Sequence, residues 1–259
     1  MRKRITVRNG PPISYQKYGS GPPLVLVHGA FSDDDTNWEF IKPILRDRFT
    51  VYAIARRGRG ETEATHGHLL EDEAHDVVAL IGAIGLPVFL LGHSYGAHCA
   101  LAAAALTPGS IQKLILYEAP WPRIVSAEVM KPLEVIAAAG EWEEFTITFF
   151  RDTLFVPARD LEQLRATELW PPIIADAKAS LGDLRALSRY DFNPKRFGVF
   201  EAPVLLQIGS QSLHELYVTD ALAAALPNAQ IENLPGQAHE GMTTAPEMFA
   251  EVVTRFLLS

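Results

Sequence analysis

A single cysteine, Cys99, stands among the 259 residues, which excludes an internal disulfide and suits a reducing compartment. Long apolar runs are missing too. The longest, Cys99 to Leu106, is mostly alanine and falls far short of the roughly 20 residues that span a bilayer. Positive charge is in deficit: 23 Lys and Arg against 31 Asp and Glu leave a net −8, a field that repels phosphate backbones. No basic run is long enough to overcome it, so nucleic acid is not an expected partner. The basic stretch from Met1 to Arg8 is not followed by an apolar segment, so no export signal is expected and a cytoplasmic protein is. Internal repeats and low-complexity linkers are absent as well. What remains is an ordinary globular composition, 48% apolar and 21% charged, in a chain long enough to bury about three quarters of its unfolded surface. The pattern carries no signal of oligomeric state.

Short apolar runs bounded by Gly and Pro alternate with segments of helical period, the signature of a parallel sheet covered by helices. Arg4 to Val7 and Ile13 to Tyr18 read as an N-terminal hairpin joined across Asn9-Gly10-Pro11-Pro12. Leu24 to Val27, Val51 to Ile54, Val88 to Leu91, Leu114 to Tyr117 and Val204 to Ile208 are near-continuous apolar runs, as strands covered on both faces require. Helices are predicted near Trp38 to Leu45, Glu71 to Ile84 and Tyr95 to Leu106, as right-handed crossovers. A strand near Gln230 to Leu234 and a helix from Pro246 to Leu258 close the chain. The expected class is α/β, a mostly parallel sheet of about eight strands flanked by helices.

From Trp121 to about Gly198 the alternation fails. Helical period continues, with breaks expected at Pro132, Gly140, Pro157, Pro171-Pro172 and Gly182. Residues 121–198 are therefore read as a helical cap inserted into a core of 1–120 and 199–259. The segment carries Trp121, Trp142, Trp170, Phe145, Phe149, Phe150 and Phe155, aromatic surface suited either to a lid over an apolar cleft or to packing on the core.

After the strand ending at Leu91 comes Gly92-His93-Ser94-Tyr95-Gly96, a G-x-S-x-G elbow followed by an alanine-rich helix. A tight strand-to-helix turn strains the serine backbone, and glycine on either side lets neighbouring elements approach. Ser94 would sit at a helix N-terminus, where the Tyr95 N–H can meet the negative charge of a tetrahedral intermediate. The alternative is a serine N-cap without chemistry. A second donor is expected from Val27-His28-Gly29-Ala30-Phe31, with the Ala30 N–H preferred and Phe31 next to it. His28 is read as a loop-stiffening residue.

With His28-Gly29, Arg57-Gly58-Arg59-Gly60, the Ser94 elbow and Gly236-Gln237-Ala238-His239, the sequence resembles the α/β-hydrolase fold superfamily over nearly its whole length. That resemblance implies a cofactor-free esterase, lipase, thioesterase, C–C bond hydrolase, perhydrolase or acyltransferase. Haloalkane dehalogenases look alike but carry Asp at the elbow, so Ser94 disfavours that branch. His239, after the last strand on what reads as a flexible loop, is the expected general base. His93, His98 and His75 fit packing or solvated roles, and His66 and His68 a surface loop; no metal site is expected.

The acid departs from the family pattern. Most relatives place an Asp shortly after the strand that here ends at Gly209, where this chain has Ser212. Some take it from the end of the preceding core strand, and here Tyr117 runs into Glu118. Glu118 is the preferred acid and preserves the order nucleophile, acid, base; Glu215, or no carboxylate at all, are the alternatives. The cluster Arg56-Arg57-Gly58-Arg59 is read as structural, partly neutralised by Glu61 and Glu63, and Ala55 stands where relatives often carry an Asp. The resemblance thus implies hydrolysis of a small ester, thioester or related carbonyl compound through an acyl-enzyme, with an apolar acyl or aryl group preferred. Acyl transfer, or a ligand-binding or signalling role with little turnover, are the competing readings.

Overall fold

The computed structural model describes residues 2–8 and 10–259. Its strands are β1 (Arg2–Ile5), β2 (Ile13–Gly19), β3 (Pro23–Val27), β4 (Thr50–Ile54), β5 (Val88–His93), β6 (Ile111–Tyr117), β7 (Val204–Gly209) and β8 (Ala229–Leu234). They form one sheet in the order β1-β2-β4-β3-β5-β6-β7-β8. The β1–β2 and β2–β4 pairs are antiparallel and the others parallel, the mostly parallel eight-stranded sheet that the apolar runs predict. Asn9, in the predicted hairpin turn, and Met1 lie outside the described residues.

Side-chain alternation along the buried strands sends residues to two cores. Leu24 and Leu26 pack with Leu45, Phe249 and Val253 on one face. Val25 and Val27 pack with Leu80, Ala97 and Ala100 on the other. The helices supplying these layers are α1 (Lys42–Leu45), α2 (Leu70–Ile84), α3 (Tyr95–Leu106) and, at the end of the chain, α10 (Pro246–Leu258), whose first residue is the proline suited to that position. Helix α3 is apolar all round and buried along most of its length, as its alanine content requires. The helix predicted over 38–45 is shorter. A 3-10 turn at Thr36–Trp38 precedes α1, because the ring of Pro43 clashes with a helix continued from residue 39.

Between β6 and β7 the chain forms α4 (Ala127–Ala138), α5 (Trp142–Asp152), α6 (Ala158–Arg165) and α7 (Trp170–Ser188). Gly140 joins α4 to α5 with φ +77°, Pro157 precedes α6, and Pro171 and Pro172 lie in the first turn of α7. Two expected breaks are not breaks. Helix α4 runs through Pro132, burying Met130 and Leu133 on either side of it. Gly182 lies inside α7, where a Cβ would stand 3.0 Å from the His68 ring, so its smallness serves packing. Two short helices after β7, α8 (Thr219–Ala225) and α9 (Gly241–Thr244), carry no sequence signal strong enough to predict. The inserted helices meet the core at Phe31, whose ring lies 5.9, 5.2 and 5.1 Å from those of Phe145, Phe149 and Phe150 on α5. Phe155, in contrast, is exposed.

The sharpest packing constraint is where β5 turns into α3. A Cβ on Gly92 would lie 2.6 Å from Ala97 Cα, and one on Gly96 would collide with the carbonyl oxygens of Val27 and His28. All of these atoms belong to backbone that cannot yield cheaply. Gly96→Ala should therefore cost about 2–3 kcal/mol and lower the melting temperature by about 5–10 °C. A melting curve superimposable on that of the parent protein refutes this account of the turn.

Candidate active site

The β5–α3 turn holds Ser94 at φ +54°, ψ −124°, with its N–H donated to Tyr117 O at 2.8 Å. Its hydroxyl makes no capping bond to α3, so it does not spend its polarity as an ordinary helix cap. Among the described residues four non-glycines adopt the left-handed region, and three of them, Phe31, Ser94 and Glu118, gather here; the fourth is Phe155. Such conformations persist only where the surroundings enforce them, and they concentrate at functional sites.

The loop after β3 lies against the turn. A Cβ on Gly29 would stand 3.1 Å from Ser94 Cβ. The Ala30 N–H has no hydrogen-bond acceptor among the described residues, and the Tyr95 N–H is the first of the donors that α3 leaves unpaired at its start. The Phe31 N–H, the other donor considered from sequence, is already given to Ser180 Oγ at 2.7 Å. His28 is buried and stiffens the loop, with Nδ1 2.8 Å from Gly29 O and Nε2 accepting from Arg56 N at 3.2 Å.

Glu118 leaves the end of β6 with its side chain fully buried. Oε2 lies 2.7 Å from His239 Nδ1, and Oε1 accepts from Gly209 N at 2.7 Å and Ser212 Oγ at 2.6 Å. Burial pushes this carboxyl up, but the hydrogen bond and charge of His239, with Ser212 and Gly209, outweigh it and hold the group below the usual range. Burial alone would lower the His239 imidazole, yet the Glu118 hydrogen bond and charge raise it above its ordinary value. Ser212, where most relatives are expected to have an Asp, thus serves the carboxylate that comes from β6. Glu215 is exposed, and its backbone carbonyl, at 3.0 Å, receives Arg123.

The His239 loop is anchored, contrary to the flexible segment expected from sequence. Tyr117 OH donates to Ala238 O and accepts from Gly241 N at 3.1 Å. His93 Nε2 lies 3.0 Å from His239 O, and Gln211 N donates to Gln237 O at 2.9 Å. His93 Nδ1 also lies 3.1 Å from Asn37 Oδ1, which accepts from Gly29 N at 3.0 Å, so the residue before Ser94 lies between the loops of Gly29 and His239. Burial keeps this imidazole well below its ordinary pKa. Tyr217 stacks on His239 with centroids 5.5 Å apart and sets its hydroxyl 3.2 Å from Nδ1. No sequence signal marks Tyr217; it arrives because Pro120 and Tyr217 form an antiparallel bridge.

Residues 24–252 match the model of the alpha/beta hydrolase family. The chain belongs to that family. It is 28% identical to a non-heme haloperoxidase of Rhodococcus erythropolis over 98% of this chain and 97% of that one. It is 27% identical to a 2-(acetamidomethylene)succinate hydrolase of Mesorhizobium japonicum over 95% of this chain and 91% of that one. Among solved structures, an alpha/beta hydrolase from Sphaerobacter thermophilus superposes with a TM-score of 0.85 at 30% identity, covering 98% of this chain and all (100%) of the other.

In this alpha/beta hydrolase the arginines after β4 do not form an anion site. Arg56 and Arg59 are buried with Glu73 of α2 and Asp183 of α7: Arg56 Nη1 lies 3.1 Å from Glu73 Oε1, Arg56 Nη2 2.8 Å and Arg59 Nη2 2.6 Å from Asp183 Oδ2. Arg57 pairs with Asp76 at 2.7 Å. These carboxylates, and not Glu61 or Glu63, neutralise the cluster; Glu61 faces the exposed Arg4. Among the described residues, two sets of possible metal-ligating side chains each bring their ligand atoms within 4.8 Å, His93-His239-Glu240 and His68-Glu73-Asp183. The first contains the Glu118-bound imidazole. In the second, the guanidiniums of Arg56 and Arg59 already occupy the place of a cation. His68 is itself buried, with Nδ1 2.9 Å from Thr65 O, and is not a surface residue as its loop sequence implies. His98 is also buried, 2.6 Å from Pro120 O, and burial lowers it to about 4. His75 is exposed. No helix is long and apolar enough to cross a membrane among the described residues.

The coupling between Glu118 and His239 has a measurable sign. An adjacent carboxylate favours the imidazolium and burial opposes it, so Glu118→Gln leaves burial opposed only by the charge of Glu240. The His239 titration, followed by ring-proton NMR, should move about 1 pH unit or more towards acid. An unmoved midpoint refutes the pairing.

Proposed function

We propose that this protein hydrolyses small carboxylic esters, thioesters or related carbonyl compounds through an acyl-enzyme on Ser94. His239 takes the Ser94 proton as the oxygen attacks the carbonyl carbon, and returns it to the departing alcohol or thiol. Water then attacks the acyl-enzyme, gives its proton to His239, and the acid product leaves as Ser94 is reprotonated. Glu118 orients the imidazole and offsets its charge. The N–H groups of Ala30 and Tyr95 receive the oxyanion, a service worth about 3 kcal/mol for a well-aimed donor. The atoms balance without a cofactor.

The observation that carries this reading is the 2.7 Å contact between Glu118 Oε2 and His239 Nδ1, in a loop tied to His93, the residue preceding Ser94. It also weakens the non-catalytic alternative, since that reading rested on Ser212 replacing the acid. Residues 121–198 act as a cap in this proposal, and the aromatic side chains of α5 favour apolar acyl or aryl groups. The names of two relatives, 2-(acetamidomethylene)succinate hydrolase and pyrrolizixenacetamide deacetylase, extend the substrate panel to N-acyl compounds. The non-heme haloperoxidase relative favours a second reading, transfer of the same acyl group to an acceptor such as peroxide, which product analysis with competing nucleophiles separates.

Hydrolysis of p-nitrophenyl acetate and butyrate should fall by about 10⁴-fold or more in Ser94→Ala, and a fluorophosphonate should label the parent on Ser94. Undiminished turnover by the alanine variant sinks the proposal. The base works neutral, and Glu118 raises its pKa, so the acid limb of kcat/KM should lie above pH 6.5. In Glu118→Gln that limb should move to lower pH while kcat drops by about 10³- to 10⁴-fold. A limb that stays in place contradicts the assigned acid.

A further inference from the structure

We infer that Asp183 and Ser180 of α7 are positioning residues for the oxyanion loop, so that the inserted helices help build the catalytic centre as well as cover it. This rests on the serine-hydrolase reading. Its basis is the peptide plane between Gly29 and Ala30, in which the carbonyl of one residue and the N–H of the next are rigidly opposed. Whatever grips the Gly29 oxygen therefore aims the Ala30 N–H.

Arg56 is that grip. Its Nη2 donates to Gly29 O at 2.8 Å and its Nε to His28 O at 2.9 Å. The guanidinium is oriented from the far side by Asp183, bound at 3.0 Å through Nη1 and 2.8 Å through Nη2. A bidentate contact fixes the plane as well as the distance. Hydrogen bonding at a carbonyl also polarises its own peptide, making the N–H a better donor.

The following peptide is held from the same helix. Phe31 N donates to Ser180 Oγ at 2.7 Å, Arg59 Nη2 donates to that oxygen at 2.9 Å, and the hydroxyl itself donates to Asp176 O at 2.8 Å. Both peptide planes flanking the Ala30 Cα are thereby referenced to α7. The left-handed backbone of Phe31 and its ring among those of Phe145, Phe149 and Phe150 secure the same loop to α5. Glu73 also binds Arg56, but it belongs to α2, so α7 supplies the part of the restraint that comes from the insertion.

The test compares Asp183→Asn and Ser180→Ala with the parent on a p-nitrophenyl ester, together with inhibition by a trifluoromethyl ketone, which binds as a tetrahedral oxyanion. Losing one oxyanion donor outright costs about 10²- to 10³-fold in kcat, so a misaimed one should cost about 10-fold or more. The expected result is that loss in kcat, an equal loss of ketone affinity, and KM within about 3-fold of the parent. Lower melting temperatures with kcat and ketone affinity unchanged overturn the inference, since a merely structural role has that signature. If Asp183→Asn fails to fold, Ser180→Ala decides alone. Fluorophosphonate labelling of the parent reports separately on the serine-hydrolase reading: a labelled parent with two unimpaired variants sinks only the present inference.

Discussion

Four ionised side chains shut away from solvent, Arg56, Arg59, Glu73 and Asp183, tie together the loop after β4, the helix α2 and the inserted helix α7. Ionised groups leave water at a cost of several kcal/mol each, recovered only when every partner is in place. Removing one partner strands the others, at about 3–5 kcal/mol. The cluster is therefore a joint that is whole or broken, with little between. Through Arg56 the same joint reaches the carbonyls of His28 and Gly29, so the register of the inserted helices and the shape of the loop beside Ser94 are set together.

The groups proposed to act in catalysis gather where β3, β5, β6 and β8 end, the region in which an open parallel sheet leaves its loops free to converge. Each arrives from a different crossover, and several are held by strain. Phe31, Ser94 and Glu118 each adopt a left-handed backbone, and Ser94 and Glu118 do so at the residue where the chain leaves its strand. Tyr117 then binds both sides of the His239 loop, at Ala238 and Gly241. Rigidity here has a chemical use, because an imidazole already in place needs no reorganisation when charge develops.

How much of this was legible depended on whether partners were near in sequence. The buried strands were, since their apolar runs stop at Gly and Pro; α3 and α10 begin and end at the predicted residues. The elbow was legible because Gly92 and Gly96 are required by contacts that any such turn makes. Glu118 was reachable from its position after a core strand, though its bond to His239 spans 121 residues. Asp183 was not, because it meets Arg56 across 127 residues while Glu61 and Glu63 offer closer charges in the chain. Tyr217, in a loop well past β7, and the anchoring role of Tyr117 were hidden for the same reason: nothing near them in the chain shows what their hydroxyls touch.

Ser212 bears on how many acids this corner of the structure can hold. Its hydroxyl and the Gly209 N–H both point at Glu118 Oε1, forming a socket for one anion beside His239 that two strands can fill. An Asp at 212 beside Glu118 would crowd two carboxylates into one socket, where they must share a proton. A hydroxyl at 212 avoids that crowding and serves Glu118 as a hydrogen-bond donor instead.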